Sequence, residues 1–529
     1  MKSRAQLLIS NLCSVVLLFF FYSCTMNNDN SKNDIIDEPE LPPVESTKEF
    51  NIVQKGQKVK FICEQPEESE NDEIVYQWYS GIEPNGTEIS GEKNNFYITS
   101  KITEKGIQNF YCTVTENEVS KSISFSVAYT ELPTVYVSTP DNVEITSKED
   151  WIKDAVLSIR YAKDSSWETE EITTSIRGRG NSTWSQPKKP YALKLDKKNS
   201  LLGMPSHKRW VLIANYLDNS YLRNSMAFYL SEQFGLDYTV RGQFVDLVLN
   251  GEYKGLYWLG EAIKVDEKRV DINDGSKKIS DDEDKDYLIE MDKYFDEPVK
   301  FYSSIRNMPY MMKNDDYMID DSDNLTNGGE ARLNRLQNKI TALENFLYPD
   351  FTSGMNTNNC SAPDESYSAI IDIDSWIKFY LVNEIMSNGE LGHPKSCYFT
   401  FESEKNIFKA GPVWDFDWAS LKQVNNCTLQ NTIYYNALFK SSVFRNRAKG
   451  IWNEKSSGIN INNTIEILRN EISVGAEYDE KLWGVNHNPT SSSASKLEYE
   501  DYNGHIDFLK STLQNKLLVI ENYISALQD

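Results

Sequence analysis

A chain of 529 residues is too long for one hydrophobic core, so two to four domains are expected. With 40% hydrophobic and 12% aromatic residues it is globular, and its net charge of −24 argues against a nucleic-acid surface, which needs clustered lysine and arginine. Four histidines and seven cysteines, with no H-E-x-x-H and no C-x-x-C pattern, argue against structural or catalytic zinc.

At the N-terminus, Lys2 and Arg4 precede an apolar run from Leu7 to Phe21 and then Tyr22-Ser23-Cys24. A basic start, about 15 apolar residues and a small residue before a cysteine describe an export signal rather than a spanning helix. The ending resembles the lipobox of bacterial lipoproteins. That resemblance implies removal of residues 1–23 and lipidation of Cys24, anchoring an exported chain to a bacterial membrane at the cell surface or in the periplasm. The acidic stretch 24–47, with Pro39, Pro42 and Pro43, reads as a flexible tether. No later stretch approaches the ~18 apolar residues of a span.

From 48 to 130, short β-rich runs alternate with turn clusters, among them Lys58–Cys63, Ile74–Trp78, Phe110–Val114 and Ile123–Val127. This is sandwich patterning. The order Cys63, Trp78, Cys112 resembles the immunoglobulin-like arrangement, in which a tryptophan packs on an inter-sheet disulfide. The resemblance implies a Cys63–Cys112 bond in an exported domain, stabilising by about 3–4 kcal/mol. Phe110 stands where that fold places a corner tyrosine. Cys360, Cys397 and Cys427 remain, so at least one thiol is expected to be free.

A second unit, 134–529, mixes strands and helices. Arg177-Gly178-Arg179-Gly180-Asn181-Ser182-Thr183-Trp184 leads to Tyr191-Ala192-Leu193-Lys194-Leu195, a basic glycine loop feeding a strand that carries a lysine. Two glycines permit close backbone approach, and two arginines and an asparagine supply donors for a polyphosphate. The same residues also suit a tight turn with solvated arginines. Asn219 or Ser220 caps a helix ending at Gly235, the turn Asn250-Gly251 joins the best hairpin of the chain, and a helical pattern covers Ala331 to Leu347. Asp374 caps a helix from Ser375 to Met386, and further helices follow Thr464, broken near 486–495.

Trp414-Asp415-Phe416-Asp417-Trp418 is the second chemical signal. On an extended segment Asp415 and Asp417 share one side and the aromatics the other, offering paired hard oxygen ligands for Mg²⁺ or Mn²⁺. Solvated or turn-capping aspartates beside core aromatics fit the segment equally well.

Taken together, Arg177–Trp184, Lys189-Pro190-Tyr191 through Leu195, Trp210–Tyr216, Leu222-Arg223-Asn224, Leu249–Tyr253 with Gly255, and Gly411–Asp417 resemble the signature segments of the spore-coat CotH kinase family, over about residues 134–450. The resemblance implies an immunoglobulin-like all-β sandwich followed by an α+β, two-lobed, protein-kinase-like domain that binds ATP with Mg²⁺ (or Mn²⁺). The implied reaction is phosphorylation of serine or threonine on a protein substrate that the sequence does not name. Lys194 would hold the phosphates with Arg177, Arg179 and Asn181 near them, Glu261 would lie at the cleft, Asp415 would bind metal, and Asp417 would assist. The family expects an aspartate base in the loop Asn388–Lys395, where this chain has Glu390. Two other readings compete: a kinase-like scaffold kept for surface adhesion, and an Asp-x-Asp glycosyltransferase, against which the absence of a Rossmann-type start counts.

Overall fold

In Val59–Ile62 every second side chain is buried, and the same alternation recurs in Val75–Ser80; it is this period of two that builds a sandwich. The computed structural model describes residues 42–64, 74–273, 285–315, 318–320, 322–484 and 501–528. The export signal, Cys24 and the tether before Pro42 lie outside them. Strands β1 (Val44–Ser46), β2 (Phe50–Ile52), β3 (Val59–Ile62), β4 (Val75–Ser80), β5 (Thr87–Glu88), β6 (Phe96–Ile98), β7 (Gly106–Glu116) and β8 (Val119–Tyr129) form two sheets, β1-β3-β6 and β2-β8-β7-β4-β5. Trp78 is fully buried opposite Cys112 in the β4–β7 ladder, and its Nε1–H donates to Asn94 O at 2.9 Å. Phe110 replaces a corner hydrogen bond with ring contacts, 5.5 Å from both Phe61 and Tyr97. The implied disulfide is not formed in this structure. Cys63 and Cys112 are free thiols that meet in the core and hydrogen-bond, and that bond together with burial holds Cys63 protonated.

Seven further strands close a barrel in the order β10-β11-β12-β13-β15-β14-β9. They are β9 (Thr134–Ser138), β10 (Ile152–Arg160), β11 (Thr169–Gly178), β12 (Tyr191–Asn199), β13 (His207–Ile213), β14 (Gly242–Leu249) and β15 (Glu252–Glu261). Leu157, Ile176, Leu193, Trp210, Leu247 and Leu259 fill its interior, so the residues alternating with them point outward. The β14–β15 turn has positive φ at both Asn250 and Gly251, the conformation that lets two residues reverse twisted strands. Helix α1 (Arg223–Phe234) ends at Gly235 with φ +70°. Its start differs from expectation: the Asp218 carboxylate, rather than Asn219 or Ser220, accepts the N–H groups of Ser220 (3.0 Å) and Arg223 (2.8 Å).

The second lobe is built on the sheet β17-β18-β16-β19-β20, from β16 (Tyr287–Met291), β17 (Lys300–Tyr302), β18 (Pro309–Met312), β19 (Cys397–Glu402) and β20 (Ile407–Ala410). Helices α2 (Asn327–Leu347), α3 (Ile373–Ile385), α4 (Tyr435–Leu438), α5 (Ser442–Lys455), α6 (Ile461–Trp483) and α7 (Tyr502–Ala526) complete it. Helix α2 begins before Ala331 because Thr326 Oγ1 accepts the Gly329 N–H at 3.0 Å. Helix α3 is capped by Asp372, which accepts the Ser375 N–H at 2.8 Å; Asp374 instead forms a fork with Arg447 of α5.

The described residues from Pro43 onward form one compact unit, and α6 ties its parts together. Tyr478 OH accepts the Asn51 N–H (2.9 Å) and donates to Asn51 O (3.1 Å) on the sandwich. On the next residue, the Asp479 carboxylate meets Lys188 Nζ at 2.7 Å with both side chains buried, and accepts from Leu256 N (2.8 Å) and Tyr221 OH (3.1 Å). Gly255 is required there, because a Cβ would come within 2.0 Å of Asp479 Oδ1. Among the described residues no helix is long and apolar enough to cross a membrane.

Candidate functional site

A cavity of about 630 Å³ lies between the outer face of the barrel and the edge of the second lobe. On the barrel side it is lined by Arg177, Arg179, Asn181, Ala192 and Val211, and on the other by Glu290, Lys313, Glu390, Asp415 and Asp417. A basic loop and an acidic wall therefore face each other across one space.

The basic wall is a loop folded on itself. A Cβ at Gly178 would sit 2.4 Å from the Trp184 ring, and one at Gly180 (φ +81°) 2.1 Å from Thr183 Oγ1. These glycines are needed for the loop's own packing, as the tight-turn reading of the motif has it, and both also line the cavity. The arginines line it as well. Arg177 donates from Nη1 to Glu149 O (2.9 Å) and stacks over Trp151 at 4.7 Å, while its buried Nε has no partner. Arg179 lies over Trp414 at 5.4 Å, in the field of Asp415, Asp417 and Glu290. Asn181 Oδ1 accepts from Lys148 Nζ at 2.6 Å.

Two residues expected here are elsewhere. Lys194 is exposed on the outer face of β12 opposite Arg209 and, unlike Arg209, does not line the cavity, while Leu193 and Leu195 on either side of it fill the barrel. Glu261 is fully buried outside it. Its carboxylate is clamped by Arg241 (Nε–Oε2 and Nη2–Oε1, each 2.9 Å) and Tyr238 OH (2.9 Å), with the buried Arg269 Nε 3.6 Å away, so its charge is spent on these two arginines.

The acidic wall forms by a route the sequence pattern does not describe. Residues 411–416 are irregular rather than extended, and Asp415 has φ +68°, a strained conformation for a non-glycine residue. Asn224, at the start of α1, holds it there: Asn224 Oδ1 accepts the Phe416 N–H at 2.8 Å, and Asn224 Nδ2 donates to Asn215 Oδ1 at 3.3 Å. The result sets the two carboxyl groups close enough for the charge of Asp415 to act on Asp417. Burial, then the Asp415 charge, pushes the Asp417 carboxyl well above its usual range, and Asp417 Oδ1 is buried without a partner. Such a pair takes up a proton or a cation.

Glu390 sits in a short 3-10 turn, Gly389–Gly392, whose preceding residue Asn388 accepts the Glu390 N–H at 3.1 Å. Burial and the neighbouring Asp415 push its carboxyl up to about 8, against the pull of Lys395. Among the described residues no three acidic, histidine or cysteine side chains converge as a metal cage. The donor set present, two carboxylates with an orphaned oxygen, fits an ion that keeps water or phosphate ligands, as Mg²⁺ does.

Sequence reasoning gave no role to Glu290, Lys313 or Lys188, and named Asn224 only within the segment Leu222-Arg223-Asn224. Lys313 pairs with Glu290 at 2.9 Å and also with Glu297. The available signal was Glu290 itself, a lone charge inside the wholly buried strand β16.

Comparison with known proteins follows the same division of the chain. The family model described as CotH kinase protein matches residues 176–520, and that of the immunoglobulin domain matches 39–127. No curated protein matches. Among solved structures, the N-terminal four Ig domains of Dscam1 isoform 8.4 share 14% identity over 31% of this chain and 42% of that one (TM-score 0.14). Those of isoform 6.9 share 12% over 30% and 42% (TM-score 0.13). The chain thus spans about two-fifths of those chains' length, at scores that decide nothing. With a family model covering well over half its length, this chain belongs to the CotH kinase protein family, a kinase-like body carrying an N-terminal immunoglobulin domain.

Proposed function

We propose that the cleft binds ATP with Mg²⁺ and transfers the γ-phosphoryl group to a serine or threonine hydroxyl of a protein. The supporting observation is the pairing of walls: an arginine loop opposite Asp415, Asp417 and Glu390 in one cavity large enough for a nucleotide. Arg177 and Arg179 neutralise phosphate oxygens, and Asp415 and Asp417 hold the cation, which when bound offsets charge on the transferring group. Glu390 accepts the hydroxyl proton as the acceptor oxygen–phosphorus bond forms and the bond to the β-phosphate oxygen breaks, releasing ADP. Its high pKa leaves only a fraction ionised at neutral pH, so the base works from a minority form that grows as pH rises toward about 8. Lys194 and Glu261 have no part in this. We further propose that the protein works outside the cytoplasm, held to a bacterial membrane by lipidated Cys24.

The test uses purified protein with Mg²⁺ and ATP, recording melting temperature and labelled phosphate incorporation. Raised melting with transfer to protein is expected. Unchanged melting in wild type would sink the nucleotide reading; stabilisation without transfer would leave a nucleotide-binding scaffold, and a preference for a UDP-sugar would point to glycosyl transfer.

A further inference from the structure

Next to Glu390 the mouth of the cleft carries positive charge that phosphoryl transfer does not use. Three lysines from three separate segments converge there. Lys293 follows β16, and its backbone N–H donates to Pro394 O at 2.9 Å. Lys395 places its ammonium 4.8 Å from the centre of the Tyr294 ring. Lys422 does the same over Trp418 at 5.0 Å. All three act on His393 between them, whose imidazole is held below its ordinary value by burial and then by these charges. Lys395 and Lys422 also face Glu390.

Like charges gathered in this way repel, and the surroundings offset them only in part: Glu390 faces Lys395 and Lys422, and Asp292 faces Lys395. Asp292, on the same turn, is committed to the N–H groups of Tyr294 (2.8 Å) and Ser396 (2.9 Å), and Asp296 lines the cavity wall beyond it. In a chain of net charge −24, acidic partners for three lysines are abundant, yet at this mouth Lys395 and Lys422 rest on aromatic faces and Lys293 is exposed. An ammonium seated on a ring is partly ordered before any ligand arrives, which lowers the cost of engaging an anion.

Resting on the kinase reading above, we propose that the acceptor is a serine or threonine flanked by acidic side chains, and that Lys293, Lys395 and Lys422 form the subsite that reads those charges. Anionic neighbours of the acceptor hydroxyl would lie against the lysines while the hydroxyl faces Glu390. A lysine- or arginine-rich acceptor is rejected by the same charges.

The test uses the full chain and three fluorescein-labelled peptides with one serine flanked by glutamates, by glycines or by lysines. Anisotropy is read at low and high salt, with Lys293→Glu, Lys422→Glu and the double variant beside wild type; both positions lie outside the cavity lining. Wild type is expected to bind the acidic peptide about tenfold or more tighter than the glycine peptide, with the preference lost in the double variant and in high salt. Lys293→Ala with Lys422→Ala should move the same way by a smaller factor, which covers a folding defect in the reversed pair. Equal binding of the three peptides, or preference for the lysine peptide, overturns the inference. Melting with Mg²⁺ and ATP is recorded on the same samples. Retained nucleotide stabilisation with no acidic preference defeats the subsite alone, whereas no nucleotide stabilisation defeats the kinase reading while anisotropy still reports on the lysines.

Discussion

Replacing Asp417 by asparagine should change stability in opposite directions with and without nucleotide. In the free protein the Asp417 carboxyl is buried against Asp415, and one of its oxygens has no donor. The Asp417→Asn side chain would keep the shape and remove the charge. At pH 8, where the acid form is least available, the relief should be about 1–2 kcal/mol, the cost usual for one poorly satisfied buried polar group. A cooperative unit of this size has an unfolding entropy near ~1 kcal/mol per degree, so the free variant should melt about 1–2 °C higher than wild type. Wild type at a roughly hundredfold excess of Mg²⁺ and ATP over its dissociation constant should gain ~2.7 kcal/mol, or about 2–3 °C, and the variant should lose most of that gain. Differential scanning calorimetry at pH 8, with and without nucleotide, measures both. A variant less stable in the free form that keeps the full wild-type gain would refute the assignment of Asp417 to the cation.

Glu390→Gln should leave nucleotide stabilisation intact and lower phosphate transfer by about 10²–10⁴-fold, and the wild-type rate should rise with pH toward about 8 as Glu390 ionises, a profile that steady-state kinetics across pH 6–9 would show. Lys194→Ala should change neither nucleotide stabilisation nor transfer, because Lys194 is exposed away from the cavity; a tenfold loss of transfer would restore it to the site. Lys188→Met should cost about 3–5 kcal/mol in urea unfolding by leaving Asp479 charged and buried, with much of the loss recovered when Asp479→Leu is added; strict additivity would contradict the pairing. Asp246 is pushed up to about 7, chiefly by burial, so the folded state keeps its proton where the unfolded chain has lost it. Its contribution is therefore fully present below pH ~4 and is lost as pH rises to about 7. Asp246→Asn should gain on wild type over that interval, and parallel melting curves from pH 4 to 8 would contradict this.

Much of this protein can be read without coordinates, for a physical reason. Strands are local: alternation in Val59–Ile62 or in the β12 segment depends only on which side chains seek a core, and the Asn250-Gly251 turn needs only two residues that tolerate positive φ. The arginine loop and the Asp415–Asp417 pair were likewise legible, because short runs of chemically unusual residues stand out at any level of folding.

What distances along the chain conceal is decided by packing. Asp415 and Asp417 come together through a left-handed residue held by Asn224, almost two hundred positions earlier, and no local pattern contains that bond. Lys194 looked better placed because it follows the arginine loop directly, yet its exposed side chain stays outside the cavity that its neighbours Ala192 and Arg209 line, whereas Lys313 reaches the cavity from the second lobe. Glu261 was displaced for the same reason, claimed by Arg241 once β15 was paired. Residue types and their local period determine which elements form and what chemistry they carry. Which of those groups share a cavity is set by sheet order, closure and the buried partners that bind some of them first.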